Sequence, residues 1–554
     1  MQSDSGWGAL TAAPSPLGSV GVADWALAVA PILLLVVLVV RGRRSTPVNA
    51  VVTLAVATLI AASAFGATPL GLAVALGKGA WTGLWILLVI WAALLLHAAC
   101  RRMGLDGMGG ALTSILRRRT ENVLVVAWIF PSFVQGVAGF GTPIAVTAPL
   151  LVLMGVRPVL AVALPLIGYH WAVGFGSVGS SFYMGAFTAG LSRGETAQYA
   201  QGTAWLLGAN AVLSGVLVAL VFAGLHGLRE GWRLIVLAGA AMASVQAVTV
   251  RFEPGVGALA AGAAGLLVVA VLAVVGRAGA SSTVRREVVA APAPGPGTPR
   301  TDEIPEAPSY RRLALVLLPY TLLLLGVLGV LLPPASRTWA RSTLAWGPSF
   351  PATETRRGFE VAPVSDYQTV AALGHPASFI VLATLVSMLL WRLARRWPRR
   401  GLVELAGPWL AASRKATPSV ILLASLATVM ADTGMVRTVA VGAAEATGPA
   451  FPLLAGLIGA VGSFTTGSTT SSNALFSALQ ADVARLIDVP PSALLAAQIS
   501  GGNIGNSVAP MVILLGATAV GIRDQVPAIL RAVLLPAAVL LASVVVGTSV
   551  LVYA

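Results

Sequence analysis

Two stretches of the chain carry side chains able to hold a small polar ligand, and both interrupt apolar runs. The first is Phe133-Val134-Gln135-Gly136-Val137-Ala138-Gly139-Phe140-Gly141-Thr142-Pro143. The second is Phe464-Thr465-Thr466-Gly467-Ser468-Thr469-Thr470-Ser471-Ser472-Asn473. Each replaces large apolar side chains with glycine, hydroxyls and amides. Glycine frees the backbone, and non-helical backbone at membrane depth survives only where it is buried in protein or lines a cavity. One such interruption in each half of a hydrophobic chain points to the binding site of a secondary carrier.

The chemistry on offer is anion binding. Where a helix resumes after a break, its first backbone N–H groups are unpaired and its dipole favours negative charge. Gly139, Gly141, Ser471, Ser472 and Asn473 fall at such starts. The hydroxyls of Thr142, Ser468, Thr469 and Thr470, with the amides of Gln135 and Asn473, would read a substrate's oxygens. The same small residues also suit close helix packing, so single roles stay open. Two titratable groups stand out. Asp432, before Thr433-Gly434, ends an apolar run; it is either a proton carrier or a turn residue at the membrane surface. His170, in the break Tyr169-His170-Trp171, titrates near neutral pH and is either a proton acceptor or a structural hydrogen-bonding group. A single cysteine, Cys100, excludes a disulfide framework and a multi-cysteine metal site. No His/Cys/carboxylate cluster, phosphate loop or nucleophile–base pair stands at a recognisable spacing, which argues against an enzyme and against any cofactor.

The elements that position these residues are membrane helices. Of 554 residues, 57% are hydrophobic and 10% charged, against about 25% charged in soluble proteins. Mean hydropathy is +0.87. The net charge of +15 comes from short basic clusters beside apolar runs, which suits a bilayer and not a nucleic acid. Met1–Val20 contains no Lys or Arg, so no cleaved signal peptide is expected. A span takes about 20 apolar residues. The first three are placed near 24–41, 48–66 and 81–100, followed by broken segments near 122–156 and 158–190. Further spans follow near 203–225, 232–250 and 256–276, then near 312–333, 377–391 and 417–431. Beyond them lie broken segments at 450–490 and 492–520 and a last helix at 526–549.

The expected fold is an all-α polytopic membrane protein of about 12 to 14 transmembrane helices, in two repeated halves with broken or re-entrant helices. Residues 1–23 form an N-terminal tail, 24–276 the first half, 277–310 a Pro/Gly/Ala-rich disordered linker and 311–554 the second half. Arginine clusters at 41–44, 101–119 and around the linker place those loops in the cytoplasm and the N-terminus outside. The repeat rests on Phe133 and Gly136 aligning with Phe464 and Gly467, and on Gly155-Val156-Arg157-Pro158 matching Ile487-Asp488-Val489-Pro490.

At these residues the sequence resembles the lactate permease family. Gly136 to Val152 is similar to its Gly-Ala-Ala-Gly-Phe-Gly-Ala-Pro-type motif, and Thr466 to Gln480 to its Thr-Gly-Ser-Asp-Thr-Ser-Ser-Asn-Ala-Leu-Phe signature. Gly501-Gly502 and Pro510 fit the segment that follows. The resemblance implies a plasma-membrane importer of lactate, glycolate and related short 2-hydroxymonocarboxylates, driven by the proton gradient. Its pattern has Glu at Gln135, Asp at Thr469 and Lys at Asn506. All three departures remove charge from the segments expected to line the site, which keeps a passive channel or a differently coupled carrier as the alternative.

Overall fold

A computed structural model describes residues 21–41, 45–103, 115–137, 139, 141–278, 310–394 and 401–553. The expected tail up to residue 20, and linker residues 279–309, lie outside the described residues. The chain is helical nearly throughout, as its composition requires. Consecutive helices α1 (Val22–Val40), α2 (Thr46–Ser63) and α3 (Pro69–Arg102) open the fold. α3 begins at Pro69 and not near residue 81, because Gly77-Lys78-Gly79 lowers the hydropathy without ending the helix.

α4 (Arg119–Val137) carries a π-helical turn, Val125–Ile129. The turn precedes Pro131, which lacks an N–H and crowds the carbonyl four residues back. The chain is therefore wound differently before Pro131, not interrupted there. α5 (Thr142–Leu153) returns to the start of α4: the Arg119 guanidinium donates to Gly155 O at 3.1 Å. α4 and α5 thus form a re-entrant hairpin open to the face where Arg102 pairs with Glu404 and Thr120 Oγ1 donates to Glu230 at 2.6 Å. We call this the basic face.

α6 (Pro158–Tyr169) continues through a 3-10 turn, His170–Ala172, into α7 (Gly176–Thr188) with a bend of 55°. α8 (Arg193–Thr249) folds back on itself where Ala223 and Gly224 leave helical space. A Cβ on Gly208 would stand 3.2 Å from Ala243, and one on Gly239 3.0 Å from Val212, as antiparallel arms require. α9 (Gly257–Ala278), α10 (Tyr310–Leu331) and α11 (Pro334–Ser342) follow, the last two bent by 97°.

Residues 343–375 form the cover of the opposite face. They contain two minimal antiparallel pairs, Ala345–Trp346 with Val370–Ala371 and Thr353–Glu354 with Glu360–Val361. Arg356 N donates to Gly66 O at 2.8 Å, and Trp81 and Trp85 of α3 donate their indole N–H groups to Gln368 O and Thr369 O. Then come α12 (Pro376–Leu393), α13 (Gly401–Asp432) and α14 (Met435–Thr447).

The second hairpin is α15 (Phe451–Thr466) and α16 (Thr469–Leu486), tied by Ser472 Oγ donating to Gly459 O at 3.0 Å. It opens on the covered face: Arg485 lies 3.9 Å from Glu195, on the arm whose Gln201 meets Arg251. The two hairpins therefore enter from opposite faces. α17 (Pro491–Val508), α18 (Pro510–Ala519) and α19 (Val526–Tyr553) complete the chain. The segment expected to be broken at 492–520 is broken at Ala509, before Pro510, while α17 runs through its Gly/Ser-rich stretch Ser500–Ser507. Its glycines serve packing: a Cβ on Gly501 would collide with Gly456 O, and one on Gly505 with Ala460 O. Small residues let membrane helices approach where the hydrophobic effect gives no drive.

Among the described residues nine helices are long and apolar enough to cross a membrane, or up to eleven if each bent pair is one crossing. That tally takes the two arms of α8 as one helix and leaves out half-length apolar helices such as Thr142–Leu153 and Pro510–Ala519. Large apolar side chains such as Leu535 and Val546 are 74% and 65% exposed, as a lipid-facing surface demands. The chain is a multi-pass membrane protein.

Candidate functional site

The hairpin tips are the two sequence motifs. At the first tip Gly141 adopts φ 82° and starts α5; at the second Gly467 adopts φ 67°, ends α15, and hands over to Ser468, the N-cap of α16. Both tips lean on α18. A Cβ on Gly141 would overlap the Leu515 side chain, and one on Gly467 would lie 3.5 Å from Met511 Cβ. Met511 and Leu515 are one helical turn apart, about 6 Å along the axis, so the tips meet in one region.

α7 ties them together from the other side. Its first turn is left-handed at Ser177 (φ 47°), Val178 (φ 52°) and Gly179 (φ 77°). The Ser177 hydroxyl fills the space beside Gly139, and a Cβ on Gly176 would be 2.7 Å from Gln135 Nε2. One turn further, Ser181 Oγ bonds Thr470 Oγ1 at 2.8 Å, and Ser181 O accepts from Asn473 Nδ2 at 2.8 Å.

The sequence-selected residues divide by what they do here. Ser468 Oγ caps Ser471 N at 3.2 Å, Ser472 Oγ also accepts from Gln498 Nε2 at 3.1 Å, and Thr470 is taken by Ser181. These three, together with the Asn473 Nδ2 bond, hold the second tip in shape. Ser471 and Thr142 are half-buried, each in the first turn of its resumed helix; Gln135 and Gly139 are buried at the first tip. Thr469 Oγ1 and Asn473 Oδ1 are buried and have no hydrogen-bond partner among the described residues. The same holds for Ser463 Oγ on α15 and for both amide atoms of Asn503 on α17. A Cβ on Gly502 would lie 3.0 Å from Ser463 Oγ and 3.1 Å from Thr469 Cγ2; Gly174 approaches Asn503 Nδ2 in the same way, at 3.0 Å. Buried polar atoms without partners are rare in native folds. Such atoms occur elsewhere in the fold too, Asn49 Oδ1 and Gln246 Nε2 among them; those named here lie beside the tips, with the Thr469 and Thr470 N–H groups at the start of α16 also unpaired among the described residues. Neutral donors and acceptors at a helix N-terminus are suited to a small carboxylate with a hydroxyl.

Neither titratable candidate bonds to a tip residue. His170 is 0% exposed. Its Nδ1 lies 3.0 Å from Ile167 O and 3.4 Å from Ser214 Oγ, while Nε2 has no partner among the described residues. Asp432 closes α13 and pairs with Lys78 at 2.9 Å, their side chains 8% and 4% exposed. The third span expected at 81–100 left out Lys78, which the helix from Pro69 takes in and buries. Gly79 lets α13 approach so closely that a Cβ there would strike Ser425, and Thr428 Oγ1 donates to Ala75 O at 2.8 Å. Glu253 was also missed; it follows α8 and is buried at 4% exposure.

Comparison with known proteins identifies the family. A sequence model described as L-lactate permease matches residues 24–554. The chain is 27% identical over 530 residues to the glycolate permease GlcA of Escherichia coli (strain K12), covering 91% of each chain. It is 26% identical over 469 residues to the L-lactate permease of Salmonella typhimurium, covering 80% of each. Among solved structures, the Alcanivorax borkumensis YdaH transporter superposes with a TM-score of 0.45 at 15% identity, over 85% of this chain and 86% of that one; this likeness is too loose to bear on function. The chain belongs to the L-lactate permease family.

Proposed function

We propose that the protein imports lactate and related short 2-hydroxymonocarboxylates such as glycolate across the plasma membrane, with the proton gradient as its energy source. The observation that carries this reading is the meeting of two opposed re-entrant tips beside partnerless buried Thr469 and Asn473 oxygens. A lactate-sized anion needs donors for one carboxylate and a partner for one hydroxyl, which the starts of α5 and α16 would supply without a fixed cation. Gln135, Gly139, Gly141 and Thr142 would line one side, and Ser468 to Asn473 the other. The two hairpins would act as equivalent halves. Orientation follows the basic face, which we place in the cytoplasm; the 343–375 cover and the N-terminus then lie outside. Asp432 and His170 are the proton-carrying candidates of the sequence. Of the two, Asp432 already neutralises Lys78, so a proton on it would leave that ammonium unpaired.

The test is uptake of labelled lactate by reconstituted protein. Acidifying the outside should raise both rate and accumulation, and unlabelled glycolate should compete. Uptake indifferent to an inward proton gradient would refute the coupling. A passive facilitator is the second reading, favoured by the neutral Gln135 and Thr469 at the tips; accumulation against a lactate gradient excludes it.

A further inference from the structure

We infer that Glu253 is the proton-coupling carboxylate of this carrier, an inference that rests on the proton-driven reading above. Among the described residues no other Asp or Glu is so deeply buried. Its Oε1 accepts from the Tyr183 hydroxyl and, at 3.2 Å, from Gly255 N. Its Oε2 lies 3.4 Å from Arg341 Nη2. All three contacts use the carboxylate as acceptor, and a proton on Glu253 removes the charge that attracts Arg341.

Two of the contacts lead to the site. Tyr183 belongs to α7, one turn beyond its left-handed start. Gly255 supports that start directly: a Cβ on Gly179 would lie 2.8 Å from Gly255 Cα, and one on Gly255 2.8 Å from Val178 O. Val178 is β-branched at φ 52°, a conformation that persists only where surroundings impose it. The turn formed by Glu253–Gly255 imposes it. The strained residues in turn pack Ser177 against Gly139 and Gly176 against Gln135, while Ser181 holds Thr470 and Asn473. Loosening the Glu253 anchor therefore reaches both tips through one helix.

The third contact leads to water. The Arg341 side chain is 50% exposed on the covered face, which the positive-inside rule places outside. A hydronium arriving there gives its proton to a Glu253 oxygen and leaves as water; the Arg341 contact breaks, and the proton departs on the other side once the carrier reorients. The ionisable groups facing Glu253 are Tyr183 from α7 and Arg341 from α11. Arg251 on its own loop is turned to Gln201, and His375 meets Trp85 edge to face, Trp85 itself packing on Tyr183. The carboxylate lacking at Gln135 is thus supplied from the segment behind it.

The experiment compares wild type, Glu253→Gln and Arg341→Gln in proteoliposomes. Two readouts are used: uptake driven by an inward pH gradient, and counterflow of labelled lactate at equal pH. For Glu253→Gln, counterflow should persist while the ratio of uptake with and without the gradient falls to about one, one titrating proton having been removed. For Arg341→Gln, the carboxylate loses its cation, and the pH for half-maximal uptake should move upward by roughly one unit. A wild type that ignores the gradient refutes the proton-driven reading and this inference with it. A coupled wild type with an equally coupled Glu253→Gln refutes this inference alone. Should Glu253→Gln lose counterflow as well, the Arg341→Gln profile decides: an unmoved midpoint overturns the assignment.

Discussion

The Lys78–Asp432 pair gives the most quantitative test of the fold. Its nitrogen and oxygen are 2.9 Å apart, with side chains only 4% and 8% exposed. At an effective dielectric constant near 20 the attraction is about 6 kcal/mol. Much of it offsets the desolvation of two charges, so the pair's net worth is small. Removing one partner is another matter, because the survivor keeps its desolvation cost without compensation; such changes cost about 3–5 kcal/mol. Lys78→Met and Asp432→Asn should each lower the melting temperature of the purified protein, followed by fluorescence-detected size exclusion in detergent. The double variant leaves no buried charge and should recover at least half of the summed loss. If the two losses simply add in the double variant, the side chains are not coupled, and the placement of Lys78 inside the α3–α13 packing is wrong.

Three further outcomes follow. Gly501→Ala places a methyl on Gly456 O and must push α15 from α17; it should cost about 1–3 kcal/mol or more, while Gly194→Ala, with nothing within 4 Å, should leave the melting temperature unchanged. His375, at the start of α12, accepts from Ala377 N at 3.2 Å, and burial lowers its pKa from 6.5 to about 4. Its neutral form is the stabilising one, so that stability is complete above about pH 6.5 and lost as pH falls toward 4, by at most roughly 3 kcal/mol; His375→Asn should flatten the pH dependence of melting. Gln135→Glu puts a carboxylate against the backbone at Gly176, and it should weaken lactate competition at high pH more than at low pH; an unchanged inhibition profile would remove Gln135 from the site.

Both tips were legible because glycine, hydroxyl and amide side chains replace bulk within apolar runs, a pattern with no other cheap explanation in a membrane. The direction of each hairpin was not legible. It depends on contacts such as Arg119 with Gly155 and Arg485 with Glu195, far apart in the chain or weak in pattern. Gly501 and Gly505 misled, because a glycine that admits a neighbouring helix looks the same in sequence as one that ends its own. Lys78 and Glu253 were hidden for opposite reasons. One sits where two glycines already depress the hydropathy. The other follows Arg251 in what looked like an ordinary polar turn, and only the approach of α7 and Arg341 encloses it.

The shared lean of both tips on α18 has a mechanical consequence. A ten-residue helix is a stiff rod, and Leu515 and Met511 are fixed to it one turn apart. Any shift of the rod is therefore felt at both tips at once, and the packing of one tip cannot be altered without disturbing that of the other.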